Sequence, residues 1–388
     1  MNKNCPTLRF PQYSEKWDNT ILGKVSSFSK GKGLSKNDMS SDGKILCIRY
    51  GELYTHYTEV IKDVISRTNV SSDELVFSEA NDIIIPSSGE TPEDIATASC
   101  IIDSGIAIGG DLNIIKTNNN GIFISYYLNN KRKYQIANLS QGKSVVHLYA
   151  DQLYTLEINI PSLPEQQKIA SFLTTVDEKL QSLKKKKTLL EQYKKGVMQK
   201  IFSQEIRFRD NNGKEFPKWK KSALGDVLNK NSTKNKKCNY TLVQSVSNKH
   251  GFVNQDEYFE DRVIASKDLS GYYVITKGTF AYNPSRIDVG SLAYKKDEAI
   301  SVVSPLYVSF RTKENISDLY LLNWFFSEGF IKQMNSSFEG SVRHTLSYDA
   351  LSKIIVCYPT IDEQNRIVNF LTAIDDKINH CQTQIDKT

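Results

Sequence analysis

From residue 163 onward, apolar side chains recur in alternating steps of four and three. They are Ile169, Leu173, Val176, Leu180, Leu183, Leu190, Val197 and Ile201, with Lys187 and Lys194 at the two skipped steps. This spacing predicts a heptad seam on one long helix. A second run, Ile367, Leu371, Ile374, Ile378, Cys381 and Ile385, keeps the same rhythm. Both starts carry helix-opening residues. Pro164 suits the first turn, where a missing N–H costs nothing. Glu165, and in the second run Asp362 and Glu363, suit the positive end of the helix dipole. A helix over 163–202 has roughly 40 residues and a length of about 60 Å, too long for a core helix. Two seams in one chain most simply bury each other. The antiparallel form closes on itself with a pseudo-twofold axis, and it is the expected one.

The segments before each seam pattern differently. Short β-rich runs stand at residues 83–85, 121–125, 272–276 and 306–310, separated by Asn/Gly/Ser turns such as 118–121. Short helices are expected at 124–134 and 316–334. The fold class is therefore α+β: two domains in tandem, each followed by a long helix. The expected boundaries are a first domain over 1–162, a first spacer helix over 163–205, a second domain over 206–360 and a second spacer helix over 361–388.

The two halves repeat. PSLPEQQKIASFLTTVDEKL from Pro161 aligns without a gap on PTIDEQNRIVNFLTAIDDKI from Pro359. An earlier echo pairs Arg9-Phe10, Trp17 and Leu22-Gly23 with Arg207-Phe208, Trp219 and Leu224-Gly225. A third pairs Asp151 and Leu153 with Asp349 and Leu351. Repeats decide architecture, and this one runs the length of the chain. The shared parts lie at the domain edges, while the middles barely resemble each other. Duplication followed by drift is one reading. The other is a common frame whose middles do different work.

Composition narrows the class. Hydrophobic residues make up 39% and charged residues 24% of the 388, as in globular proteins. No apolar run is long enough to span a bilayer, and no secretory signal stands at Met1, so a cytoplasmic protein is expected. The six cysteines lack Cys-x-x-Cys spacing, which fits free thiols better than zinc or disulfides. A net charge of +6 permits a polyanion partner without demanding one.

Several loops carry chemistry suited to nucleic acid. They are the flexible, basic Lys30-Gly31-Lys32-Gly33, Arg49 after an apolar run, Lys143 with His147, Asn283-Pro284-Ser285-Arg286, and Arg343 with His344. Arginine and lysine suit guanine edges and phosphates, and asparagine suits adenine. Each is also compatible with an ordinary surface loop, and His147 and His344 with packing at the domain–helix joint. The lysines at 184–187, 194 and 195 fit either a DNA-facing strip or the solvated face of a heptad helix. Catalytic signatures are weak. Gly105, Gly109 and Gly110 have the wrong spacing for a phosphate loop. Asn283-Pro284-Ser285-Arg286 lacks the second proline and the aromatic of the amino-methyltransferase Asn-Pro-Pro signature. The five histidines show no metal-ligand spacing. No catalytic and no metal residue is expected.

The order of variable domain, Pro-x-x-(Pro/Asp)-Glu-Gln-x-(Lys/Arg)-Ile-x-x-Phe-Leu helix, variable domain and same helix again resembles the specificity subunit of type I restriction–modification systems. The Arg-Phe, Trp and Leu-Gly openings resemble it too. The resemblance implies two target recognition domains, each reading one half of a split double-stranded DNA sequence. It implies an antiparallel spacer, with Ile169, Leu173, Val176, Leu180, Leu183, Ile367, Leu371, Ile374 and Ile378 in its seam. The spacer sets the gap between half-sites and docks two methyltransferase subunits, and restriction subunits then join. No cofactor is expected on this chain. S-adenosylmethionine belongs to the methyltransferase partner, and ATP with magnesium to the restriction partner. A spacer of about 60 Å caps the separation at roughly 17 base pairs, at about 3.4 Å per pair. The second helix stops at Thr388, about a dozen residues short of the counterpart of Phe202; either the chain is clipped there or the natural rod is asymmetric. The alternative from another class is a coiled-coil scaffold or decoy specificity subunit without sequence-specific DNA binding.

Overall fold

The computed structural model describes residues 6–142, 145–248, 250–255, 268–338 and 344–388. Two compact units divide the chain, Met1–Gln181 and Ser182–Thr388. The first long helix is Leu163–Phe202 and the second is Ile361–Asp386.

In the first unit a sheet runs in the order Ser26–Lys30, Leu112–Thr117, Ile83–Pro86, Ser99–Ile101, Val60–Ile61. In the second unit the order is Leu228–Lys230, Val308–Thr312, Phe280–Tyr282, Leu292–Tyr294. The first four strands correspond one for one. The divergent middles therefore share a topology. Their sequences do not show it, because a strand buried on both faces needs only apolar residues, not particular ones.

Both units close in the same way. Asp18–Ile21 pairs antiparallel with Glu157–Ile160, and Lys220–Ala223 with Ile355–Tyr358. Gly23 lies where a Cβ would stand 2.1 Å from the Tyr154 ring, a close approach that favours glycine, and at Gly225 the nearest contact is a looser 3.2 Å, to Ser352. Leu153 and Leu351, from the third echo, are fully buried beside these closures.

The Glu-Gln pair at the start of each long helix locks helix to domain. Glu165 receives Arg9 in a bidentate pair, both contacts at 2.6 Å, and Glu363 receives Arg207 at 3.2 and 2.7 Å. Both pairs join residues 156 positions apart. Gln166 accepts from the N–H of Asn120 at 3.0 Å, and Gln364 from that of Ser317 at 2.7 Å. Each also donates to the proline carbonyl five residues back, Pro161 and Pro359. All four side chains are buried. Asn120 and Ser317 are the N-caps of Gly121–Tyr127 and Asp318–Trp324. The glutamines thus join a long helix to the start of a domain helix, a role beyond the dipole reading. Aromatic contacts repeat as well. Trp17 meets Phe123 edge-on at 5.9 Å, and Trp219 meets Tyr320 at 6.1 Å.

One expected strand is corrected. Residues 121–125 are helical, within Gly121–Tyr127. The β-branched and aromatic run misleads because this helix is buried almost all round and shows no polar face. Asn120 decides the matter by accepting from Phe123 N–H at 2.8 Å. The helix expected at 124–134 runs from Gly121–Tyr127 through the π-helical Leu128–Arg132 into Lys133–Leu139, and that expected at 316–334 appears as Asp318–Trp324 and Glu328–Ser336.

Within the second unit the long helices pair antiparallel. Lys187 bonds Gln382 at 2.7 Å and Lys194 bonds Asp375 at 2.6 Å. One heptad forward on the first helix is one heptad back on the second. The two lysines that interrupt the seam therefore reach the facing helix and fix its register. Ile367, Leu371 and Ile374 are buried with Met198 and Ile201 in one cluster, and Ile378 packs at its edge. Leu183 is half-buried. Exchanging the charges tests the register. Lys194→Asp should lower the second unit's stability by about 1 kcal/mol, and adding Asp375→Lys should restore it, read by urea unfolding.

Candidate nucleic-acid interface

Antiparallel register places the last residues of Ser26–Lys30 and Ile83–Pro86, and the first of Leu112–Thr117, at one end of the first sheet. Lys30 pairs with Asn113, and Pro86 with Leu112. The loop beyond Lys30 is held, contrary to the flexibility its glycines imply. Gly31 N–H donates to Leu112 O, Lys32 N–H to Ile108 O, and Gly110 N–H to Gly33 O, at 2.9–3.0 Å. A Cβ on Gly31 would stand 2.1 Å from Gly109 O, and Gly33 has φ +63°. The glycines serve close approach and a left-handed turn. Lys30 and Lys32 are exposed on this fixed backbone, and neither forms an ion pair among the described residues.

Arg49 lies beside this loop, since Gly109 N–H donates to Ile48 O. It precedes the helix Tyr50–Thr55 and bonds Glu52 at 3.3 Å, so part of its guanidinium is held internally. Glu52 is buried and also takes the Ser66 hydroxyl at 2.6 Å. His147 arrives from the closing segment, where Val146–His147 pairs with Ser88–Gly89. Its exposed ring stacks on Tyr149 at 6.1 Å. Lys30, Lys32, Arg49 and His147 thus gather at one end of one sheet. Lys143 lies outside the described residues.

The opposite end is different in kind. There Asp82 accepts from Glu79 N–H at 2.8 Å and pairs with Lys116 at 3.7 Å, while Lys116 also holds Glu79 at 2.7 Å. Burial raises the Asp82 carboxyl above its ordinary range. Charges at this end are spent on each other.

The second unit presents the matching end. Tyr282 pairs with Val308, and the turn Asn283-Pro284-Ser285-Arg286 follows. Asn283 shapes it, its side-chain oxygen accepting from Ser285 N–H at 3.1 Å and its carbonyl from Arg286 N–H at 3.0 Å. Ser285 and Arg286 are exposed. Arg286 and Asn283 line a cleft of about 180 Å³ with Ser247, Asn248, Val253 and Tyr307. Leu346 N–H donates to Pro284 O at 3.0 Å, which brings exposed His344 to this end. In the first unit Leu148 N–H donates to Ser87 O at the same distance, so the frame here is also common. Arg343 lies outside the described residues.

Four exposed lysines belong to this end and were not among the sequence candidates. Lys230 ends its strand and sits over the Tyr348 ring at 5.1 Å. Lys234, Lys236 and Lys237 follow on the departing loop. The run KNSTKNKK carried a legible signal: four lysines among turn-forming residues just after a strand. It holds the place that Lys30 and Lys32 hold in the first unit.

A duplicated frame presenting unlike basic and amide-bearing loops defines a duplicated recognition protein. The family model for the type I restriction modification DNA specificity domain matches residues 14–192 and again 217–387. The chain belongs to that family. It is 23% identical over 398 residues to the type I restriction enzyme MjaVIII specificity subunit of Methanocaldococcus jannaschii, covering 97% of this chain and 89% of that protein. Over 108 residues it is 32% identical to the MjaIX specificity subunit of the same organism, 26% of this chain and 25% of that protein. The fold is shared with the type I restriction-modification S subunit from M. genitalium, at TM-score 0.61 and 16% identity over 98% of this chain and 95% of that one. No helix among the described residues is long and apolar enough to cross a membrane.

Proposed function

We propose that this chain supplies the DNA address of a type I restriction–modification complex. The first unit reads one half of a bipartite duplex target through the sheet end bearing Lys30, Lys32, Arg49 and His147. The second reads the other half through Asn283, Ser285, Arg286, His344 and the lysines at 230–237. The paired helices set the gap and dock two methyltransferase subunits, which restriction subunits join in the cytoplasm. The chain is non-catalytic. S-adenosylmethionine is held by the methyltransferase partner, and ATP with magnesium by the restriction partner.

One observation carries this reading: the two units repeat the Arg–Glu and Gln joints between helix and domain and four strands of the sheet, and differ in the loops at the sheet ends. A frame held constant under unlike loops is what two different half-sites require. Lysines on a fixed backbone suit phosphates, which position the protein. The Asn-Pro-Ser-Arg turn offers an amide and a guanidinium for base edges, which specify.

The test is selection of targets from random duplex by the reconstituted complex, followed by footprinting. The expected result is two protected patches on one duplex, with affinity falling steeply as salt rises. Asn283→Ala and Arg286→Ala should each weaken preference within one half-site by about 1–3 kcal/mol, leaving the other half unchanged. Binding to random duplex as tight as to any selected sequence would overturn the reading in favour of a scaffold or decoy.

A further inference from the structure

A hairpin of Gln244–Ser247 and Gly251–Asn254 forms the second wall of the cleft beside the Asn-Pro-Ser-Arg turn. A buried polar network holds it. Gln244 accepts from the Lys295 ammonium at 2.9 Å and the Ser301 hydroxyl at 2.7 Å, and donates to Asn254 at 2.9 Å. Gln255 donates to the Ser245 hydroxyl at 2.7 Å. Lys295 is 1% exposed, and Asp297 meets its charge at 2.8 Å. The Ser291 hydroxyl ties hairpin to turn by donating to Val246 O at 3.2 Å. The turn itself is closed by Gly290 N–H on Ile287 O and Ser291 N–H on Arg286 O. Bonds within the unit therefore fix both walls, as a reading site needs.

Two side chains at the mouth differ in chemistry and stand side by side. Asn248 follows the first hairpin strand. It is exposed, and its amide has no hydrogen-bond partner among the described residues. Val289, on the other wall, is 54% exposed. The two walls meet here, since a Cβ built on Gly290 would stand 3.9 Å from Asn248 Cβ. Asp288 turns its carboxylate back onto Val289 N–H at 2.9 Å, and Asn283 has committed its side-chain oxygen to Ser285 N–H. The cleft's 180 Å³ is well below the roughly 300 Å³ at which small-molecule sites begin, so it suits the edge of a larger ligand.

We propose that Asn248 and Val289 together specify one A·T pair of the second half-site, the amide bridging adenine N6 and N7 and the isopropyl group covering the thymine methyl. In the major groove an A·T pair shows an acceptor and a donor on adenine and, across the pair, a methyl group on thymine. An amide with both ends free matches the first, and a branched apolar side chain beside it matches the second. A G·C pair has no methyl there and would leave Val289 against a polar edge. This inference rests on the reading of the chain as a DNA address.

The probe is the duplex selected by the reconstituted complex, with each thymine of the second half-site replaced in turn by deoxyuridine, which lacks only the methyl group. Equilibrium binding should weaken about fourfold at one position, the effect of one buried methyl. Val289→Ala should bind the two duplexes alike. Asn248→Ala should relax the preference for A·T at the same pair by at least about fivefold. Both residues are exposed, so neither change should move the unit's unfolding midpoint. The inference is overturned if no thymine methyl matters, if the methyl effect persists in Val289→Ala, or if Asn248→Ala relaxes a different pair. A complex that selects no sequence overturns the address reading and this inference with it. A selected target indifferent to methyl loss overturns this inference alone.

Discussion

Replacing Arg207 with alanine should destabilise the second unit by about 3–5 kcal/mol, the cost of stranding a buried charge. Glu363 is 0% exposed, and the Arg207 guanidinium is its ion-pair partner. With the guanidinium gone, the carboxylate has neither water nor a counter-charge. The reverse change should cost less. Arg207 keeps 26% of its side-chain surface exposed and also donates to the carbonyls of Phe216 and Pro217. Glu363→Gln therefore leaves a cation with other acceptors and a path to solvent. The order Arg207→Ala worse than Glu363→Gln is the test, read as the midpoint of the second unit's thermal transition. A loss of 3–5 kcal/mol corresponds to roughly 6–20 °C for a unit of this size. Equal losses would mean that the joint is held by packing rather than by the pair.

Leucine-to-alanine changes at the two repeat-related seam positions should differ sharply. Leu371 is 0% exposed and sits in the cluster with Ile201, Ile367 and Ile374. Its truncation leaves a cavity in that cluster and should cost about 2–5 kcal/mol. Leu173 occupies the same place in the repeat but is half-buried and lines a cavity of about 700 Å³. Its truncation should cost about 1 kcal/mol or less. Urea unfolding monitored separately for each unit gives the comparison, with the midpoint moving at unchanged slope. Similar losses at both sites would show that Leu173 is packed as closely as Leu371.

Much of the frame was legible from residues alone. Identical Glu-Gln pairs, arginines and tryptophans at one spacing could only come from two copies of one joint. Their partners were not legible. Glu165 reads as a dipole residue until Arg9 is found against it, because the pairing spans 156 positions. The lysines interrupting the heptads read as part of a DNA-facing strip or of a solvated helix face. Yet Lys187 and Lys194 bond Gln382 and Asp375, since a long side chain at a seam position can lay its stem on apolar surface and extend its head to the facing helix. Residues 121–125 read as a strand until the Asn120 cap and the Gln166 bond behind it are seen.

The candidate interface divides the same way. Lys30, Lys32, Asn283 and Arg286 stand out by residue type and turn context. Strand register, with the backbone bonds from Leu148 to Ser87 and from Leu346 to Pro284, gathers them with His147 and His344 at matching sheet ends, and adds the lysines from 230 to 237.

By itself the sequence determined that the protein is a duplication with two heptad helices and unlike middles, because repeats and seam spacing are local patterns that survive without coordinates. Only the tertiary structure decided that the middles share a topology and that the long helices run antiparallel in the second unit. Those facts depend on contacts between residues distant in the chain, and packing sets them without fixing which residues must supply it.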